Sequence, residues 1–431
     1  MSWLNLGSVA GAVGLAVLAW LAGGCRRPVP WRTVLGGALT LTVLGALVFV
    51  VPPARAALLA VNDAVVAILT AGQAGARFLF GPLAFSPGES SPAGESSVGF
   101  ILAVQVLPAV VFFAALMTLL YHLRIMKPAV ALFARLFRRT LGLSGAEALA
   151  GSANIFVGVE SAMTVRPYLE RMTRSELLML LSCGMATVAS TSMAIYVAFL
   201  RDTFPLIAGH LASASVLSIP AAAVCAKLIL PETETPATWG HVPPQDLGER
   251  HAGAFSALAA GAWDGLKLAA GIATLLIAVL GLVALVDLVL ARVPWQPSGM
   301  PLNLATLLGW LFTPLAWLLG LPASDVGEAG RILGQRAVLT EVVAYRELAS
   351  LAAQGALSPR TLVVLSYALC GFAHLASVGI FVGGTAALAP SRRDDLASLG
   401  LRALIAATLA TLLTGAIAGA FYHGQAGMLV R

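Results

Sequence analysis

The chain has 431 residues, of which 59% are hydrophobic and only 11% charged. Soluble domains carry about 25% charged residues, so this composition excludes an ordinary soluble enzyme and specifies a polytopic membrane protein. The net charge of +6 comes without basic patches interleaved with aromatics. That excludes nucleic-acid polymers as partners and matches basic cytoplasmic loops.

A span needs about 20 apolar residues. The first is expected at 4–24; it lacks a basic segment ahead of it and is followed by Arg26 and Arg27, so it reads as a retained span rather than a cleaved signal. The second lies at 34–51 and is stopped by Pro52-Pro53. Residues 56–80 alternate apolar with small polar residues and read as an interfacial amphipathic helix. A polar loop at 87–97 precedes a third span at 98–123, followed by a basic interfacial helix carrying Arg124, Lys127, Arg135, Arg138 and Arg139. A hairpin at 154–169 is too short to cross and contains Gly158 and Pro167. Spans follow at 177–200 and 206–230, then a Pro-rich polar linker at 231–250 and a span at 257–290. Residues 302–319 read as interfacial, 328–348 as a second hairpin, and 361–388 and 401–421 as the last two spans. The four cysteines are far apart, show no metal spacing, and read as buried inert thiols.

The fold class is therefore all-α and polytopic, with about eight transmembrane helices, two re-entrant hairpins and interfacial helices. The expected division is an N-terminal scaffold at 1–130, a first transport repeat at 131–230, a linker at 231–256, a scaffold span with an interfacial helix at 257–320, and a second repeat at 321–431. If the first span runs from outside to inside, the basic loops at 26–32, 124–139, 166–174 and 392–393 all become cytoplasmic and both termini lie outside.

Residues 154–190 hold an Asn, Glu, Ser, Thr, Arg and Pro within an apolar run. Hydrocarbon does not tolerate free polar backbone, so such a stretch is buried in protein or lines a cavity, and its ionisable groups are functional candidates. Two spans share a local pattern: Cys183-Gly184-Met185-Ala186 followed by Thr187, and Cys370-Gly371-Phe372-Ala373 followed by His374. In the topology above they run in opposite directions. That is an inverted repeat, which in secondary transporters places a site where broken helices meet near the midplane.

These motifs carry a resemblance. Asn154-Ile-Phe-Val-Gly158, Glu160-Ser161, Val165-Arg-Pro-Tyr-Leu169 and Thr173-Arg-Ser-Glu-Leu177 are similar to the NIFVGQTESP…VRPYL…TxSEL hairpin of the concentrative nucleoside transporter family. Gly334 with Glu341-Val-Val-Ala-Tyr345 resembles that family's GTK…NEFVAY hairpin. Tyr367-Ala-Leu-Cys-Gly-Phe-Ala373, Gly383-Gly384, Ala389-Pro390 and Arg392-Arg393 resemble its YALCGFAN…GG…AP-R segment. The resemblance covers most of the chain from about residue 60 onward.

It implies a sodium- or proton-coupled importer, not an enzyme, that works as a homotrimer in the lipid bilayer, here a bacterial inner membrane. No organic cofactor is implied. A scaffold holds the trimer while a transport domain alternates across the membrane. The implied sodium site uses Asn154, the Val157 carbonyl, Thr187 and the Val188 carbonyl. The implied substrate site uses Val159, Glu160, Thr340, Glu341, Phe372, His374 and Ser377. The chain departs from the family at the first hairpin, where Gly158-Val159-Glu160 is one residue shorter and the base-pairing Gln has no counterpart. Thr340 and His374 each stand where the family has Asn. The ribose-binding group, Glu341 with His374 and Ser377, is retained in part; the base-binding group is remodelled. The substrate is thus a nucleoside read differently, or another polyhydroxylated solute.

Each residue has a structural alternative. Asn154 can cap a helix, Thr187 can bond back to its own helix, Glu160 can pair with Arg166, and Glu341 with Arg336 or Arg331. His374 can be a structural donor, a ligand, or a proton-coupling group, because histidine titrates near physiological pH. A membrane-embedded enzyme would need a nucleophile–base pair or a metal cluster; the six histidines are scattered and neither HExxH nor GxSxG occurs. A non-transporting gate-type membrane protein, used for assembly or signalling, is a second rival, and a passive channel a third, which paired hairpins and a closed midplane site disfavour.

Overall fold

A computed structural model describes residues 2–85, 89, 96–156, 158–242, 252–293 and 302–424. The protein is an all-α polytopic membrane protein. Helices α1 (Trp3–Ala22) and α2 (Trp31–Phe49) are each long enough to cross a bilayer. α1 buries a single stripe, Asn5, Ser8, Gly11, Leu15 and Ala19, flanked by half-buried residues, and leaves Trp3, Leu6, Val9, Val13, Val17 and Leu21 exposed on its other side. That is how a helix looks with protein on one side and lipid on the others. Cys25, just past its end, is exposed, whereas Cys183, Cys225 and Cys370 are buried; the expectation of a buried thiol fails there because the chain has already left the helix.

α3 (Pro52–Phe80) is one helix of 29 residues, long and apolar enough to cross. Its polar residues divide between two faces: Asn62 is buried and accepts from the Gly209 amide, while Asp63 and Thr70 are exposed. The third expected span is interrupted: α4 (Leu102–Gln105) meets α5 (Leu107–His122) at Val106, ahead of Pro108, which lacks an amide hydrogen for the helical ladder. α6 (Met126–Leu141) is strongly amphipathic, with Val130, Ala134, Phe137 and Leu141 buried on one face.

The first repeat follows: α7 (Gly145–Asn154), a 3-10 stretch at Val159–Arg171, α8 (Arg174–Ala186), α9 (Ser190–Leu200) and α10 (Ile207–Ile229). α11 (Ala254–Leu290) is a long, largely exposed apolar helix, and α12 (Leu304–Trp317) a short one. The second repeat has the same order: α13 (Ala323–Val338), α14 (Glu341–Ala353), α15 (Pro359–Ala368), α16 (Leu375–Leu388) and α17 (Arg393–Phe421). Each repeat is thus a hairpin, an interrupted helix and a long buried helix. Most of the loop expected at 87–97, and the linker beyond residue 242, lie outside the described residues.

α5 packs along α11, while α10 and α17 pack against each other and against α1, α2 and α8. The α5–α11 crossing is tight because Gly261 and Gly265, four apart, lie on one face of α11. A Cβ on Gly265 would fall 2.7 Å from the Val111 Cα, the close backbone approach that small residues permit between membrane helices.

Candidate functional site: two hairpin tips against two broken helices

The first hairpin is wider than its sequence signature. Ser144 and Glu147 form a capping box that starts α7. Asn154 is therefore the last residue of a helix, at the hairpin tip, not its first. Pro167 prevents a regular α ladder in the returning arm, which stays 3-10. Thr173 and Glu176 form a second capping box at the start of α8. The two boxes are joined where the Ser144 hydroxyl meets Glu176 Oε1 at 2.5 Å. The buried Lys227 ammonium lies 2.5 Å from Glu147 and 3.5 Å from Glu232. The second hairpin, α13 to α14, is rooted the same way: Asp325 accepts from the Ser358 amide at 3.0 Å and from the Thr361 hydroxyl at 2.6 Å, at the start of α15.

α8 stops at Ala186, and Thr187 takes up extended backbone before α9 begins. Asn154 reaches this break. Its amide nitrogen donates to the Cys183 carbonyl at 2.7 Å and contacts the Thr187 hydroxyl. Thr187 in turn donates to the Cys183 carbonyl at 2.9 Å, so it does bond back to its own helix. The carbonyl oxygen of Asn154 is buried and has no hydrogen-bond partner. An unpaired buried acceptor is costly. With Thr187 and the Val188 carbonyl, which accepts from Ser215 at 3.3 Å, it makes a set of neutral oxygens suited to a hard monovalent cation. The residues fit a sodium ion. Val157, the fourth expected ligand, lies outside the described residues, as do the side chains of Val159 and Glu160 and hence any pairing of Glu160 with Arg166.

The second break, 369–374, holds the polar core. Thr340 caps α14, and Glu341 opens it, where the helix dipole favours a carboxylate. Glu341 is 3% exposed. Its Oε1 accepts from the Tyr196 hydroxyl at 2.9 Å, and its Oε2 lies 3.1 Å from His374 Nε2. His374 Nδ1 is buried without a partner. Ser377 donates to the His374 carbonyl at 2.6 Å and holds this turn. Phe372 lies edge-on to His374, with ring centroids 6.4 Å apart. Neither arginine expected to neutralise Glu341 does so. Arg331 pairs with Glu328 and Glu347, and Arg336 bonds to Ala368 and Thr411.

Tyr196 went unremarked in the sequence. It sits on α9, inside an apolar run with no motif around it, and stacks on Tyr345 with centroids 4.3 Å apart. Only the fold brings it across the repeat boundary to Glu341.

Paired hairpins whose tips meet interrupted helices, with ionisable groups buried at the crossing and two like-ordered repeats, define a membrane transport protein of the inverted-repeat class. Family models for the Na+ dependent nucleoside transporter N-terminus, for "Gate: Nucleoside recognition" and for the Na+ dependent nucleoside transporter C-terminus match residues 10–83, 103–203 and 210–419. The chain belongs to the concentrative nucleoside transporter family. It is 37% identical over 96% of its length to an uncharacterized transporter of Haemophilus influenzae, covering 97% of that protein. It is 35% identical over 98% of its length to the nucleoside permease NupC of Helicobacter pylori, covering 99% of it. The solved structure of CNTnw in an inward-facing substrate-bound state superposes with a TM-score of 0.88 at 36% identity, covering 97% of this chain and 100% of that one. Other CNTnw structures that match are described as outward-facing and intermediate states. These relatives are transporters and permeases; the chain is not an enzyme.

Proposed function

We propose that this protein is a sodium-coupled secondary active importer of nucleosides or closely similar polyhydroxylated solutes. The observation that carries the reading is the pairing of two half-built sites. Asn154 presents a buried, unpartnered carbonyl oxygen beside Thr187. Glu341 presents a buried carboxylate held by Tyr196 and His374. An ionised carboxylate is acceptor-only and suits two vicinal hydroxyls of a ribose. Ser377 and Thr340 set the backbone turns that hold His374 and Glu341 in place, and Phe372 supplies an apolar wall. Sodium at Asn154, Val157, Thr187 and Val188 would tie the first hairpin tip to the α8–α9 break. The family resemblance adds Val159 and Glu160, next along that hairpin, to the substrate site.

The hairpins are re-entrant in this reading, both termini lie outside a bacterial inner membrane, and three copies assemble. The packing favours a moving body larger than the two repeats alone. α1 and α2 are seated on α10 and α17, and Arg360 of α15 donates to Asn5 and Ser8 of α1 at 2.8 and 2.9 Å. The α5–α11 pair then serves as the static scaffold, and residues 1–51 travel with the repeats rather than with it.

The test is uptake of labelled uridine into proteoliposomes under an inward sodium gradient, with potassium replacement and an imposed pH gradient as separate arms. Sodium-driven accumulation above equilibrium is expected. A proton-driven response alone would transfer the coupling to the buried Glu341–His374 pair, and no accumulation with either gradient would refute the reading.

A further inference from the structure

Arg336 is fully buried, at 0% exposure, and among the described residues it forms no ion pair with a carboxylate. Its Nη1 donates to the Ala368 carbonyl at 2.6 Å and to the Thr411 hydroxyl at 2.8 Å, while Nε and Nη2 have no hydrogen-bond partner. A buried charge held this way needs a reason, because desolvating an ion with no carboxylate in contact is costly, and the Glu341 charge acts on it only from a distance. The geometry of the other repeat supplies one.

In the first repeat, the hairpin helix α7 ends in Asn154, which donates to a carbonyl in the last turn of α8 and contacts a threonine hydroxyl. In the second repeat, the hairpin helix α13 carries Arg336 in its last turn, and Arg336 donates to the last carbonyl of α15 and to a threonine hydroxyl. In each case the hydroxyl also donates to a carbonyl of its own helix, at 2.9 Å. One difference is that Thr411 comes from α17 rather than from the break itself. The oxygens are of the same kind in both places, and both lie at or against the C-terminal end of an interrupted helix, whose dipole favours a cation. Beside Asn154 there is an unpartnered acceptor; at the second position a guanidinium is already present.

We propose that Arg336 is a tethered cation that fills the symmetry-related counterpart of the coupling-ion site and so limits the transporter to one mobile cation per substrate. This rests on the cation-coupled reading above. The side chain neutralises the end of α15 from within, where the end of α8 relies on an ion from solution. The second half-site therefore stays charged throughout the cycle, and no cation gradient is spent on it.

The test uses the full-length protein in detergent and in proteoliposomes, with sodium replaced by choline at constant ionic strength. The readouts are the dissociation constant for uridine and the thermal midpoint, both as functions of sodium. Below saturation, one linked cation makes uridine binding about tenfold tighter per tenfold rise in sodium, and two make it about a hundredfold tighter. The wild type is expected to follow the first slope, Arg336→Lys to keep it, and Arg336→Gln to move to the second, with a thermal midpoint that climbs more steeply with sodium. A wild-type slope of two, or a folded Arg336→Gln protein with a slope of one, overturns the proposal. If Arg336→Gln folds only in high sodium, the tethered cation has been replaced by a free one, as expected. If it folds at no sodium concentration, the wild-type slope decides between support at one and refutation at two. A wild type with no sodium response fails at the earlier step, the cation-coupled function itself.

Discussion

Replacing Glu341 by Gln tests the substrate site with almost no change of shape. Glu341 is 3% exposed, accepts from Tyr196 at 2.9 Å, and faces His374 Nε2 at 3.1 Å. Glutamine keeps an oxygen for Tyr196, so the fold should survive, but it removes the charge. Hydrogen bonds to a charged group contribute about 1.5–3 kcal/mol and neutral ones about 0.5–1.5 kcal/mol. If two ribose hydroxyls donate to the carboxylate and each loses about 1 kcal/mol, the total is about 2 kcal/mol, or about 30-fold in affinity. The assay is uridine binding and uptake, run beside 2′-deoxy and 3′-deoxy analogues. The wild type should discriminate against the deoxy compounds, and Glu341→Gln should bind uridine about 30-fold more weakly while losing most of that discrimination. Wild-type affinity in the variant, or undiminished discrimination, would remove Glu341 from the ribose and refute the reasoning. A monodisperse peak and a preserved thermal midpoint separate loss of the site from loss of the fold.

Asn154→Ala deletes both the unpartnered oxygen and the donor to Cys183; sodium half-saturation should rise by about tenfold or more, and an unchanged sodium titration would dissociate Asn154 from the cation. Lys227→Met strands the buried Glu147, which sits 2.5 Å from the ammonium. A loss of about 3–5 kcal/mol is expected, read as a lowered thermal midpoint. The double variant with Glu147→Leu should recover much of it, and equal damage in both would mean that the pair is not the cause. Gly265→Leu drives a side chain into α5, where even a Cβ would be 2.7 Å from the Val111 Cα. Overpacking of this kind costs about 1–3 kcal/mol, so the variant should lose stability while uridine affinity per folded molecule stays constant; a thermal midpoint matching the wild type would show that the two helices do not meet this way.

Much of the site was legible in the chain because its parts are local. A hairpin tip needs Asn, Gly and Ser or Thr in an otherwise apolar run, and an interrupted helix shows small and polar residues in its middle, so Asn154, Thr187, Glu341 and His374 stand out from their surroundings. Element edges were less legible. The hairpins begin at Gly145 and Ala323, well before their polar signatures: α7 is buried along its whole length and its Ala, Gly and Leu resemble ordinary span residues, whereas α13 buries one face and leaves Ala323, Ser324 and Gly327 exposed, so its start reads as loop.

Composition, hydropathy and local motif by themselves determined that this is a polytopic helical membrane protein with two like repeats, and they marked the polar residues at its centre. Those properties depend on the solvent each segment can tolerate and on near neighbours in the chain. Only the tertiary structure decided which groups meet: Tyr196 and His374 on Glu341, Arg336 against Ala368 and Thr411 instead of a carboxylate, Lys227 between Glu147 and Glu232. Apart from Lys227 with Glu232, which are near neighbours in the chain, these contacts join residues dozens to more than a hundred positions apart. Their partners are chosen by helix packing and by the requirement that buried charge find oxygen or counter-charge, and no short window of sequence contains both sides of that choice.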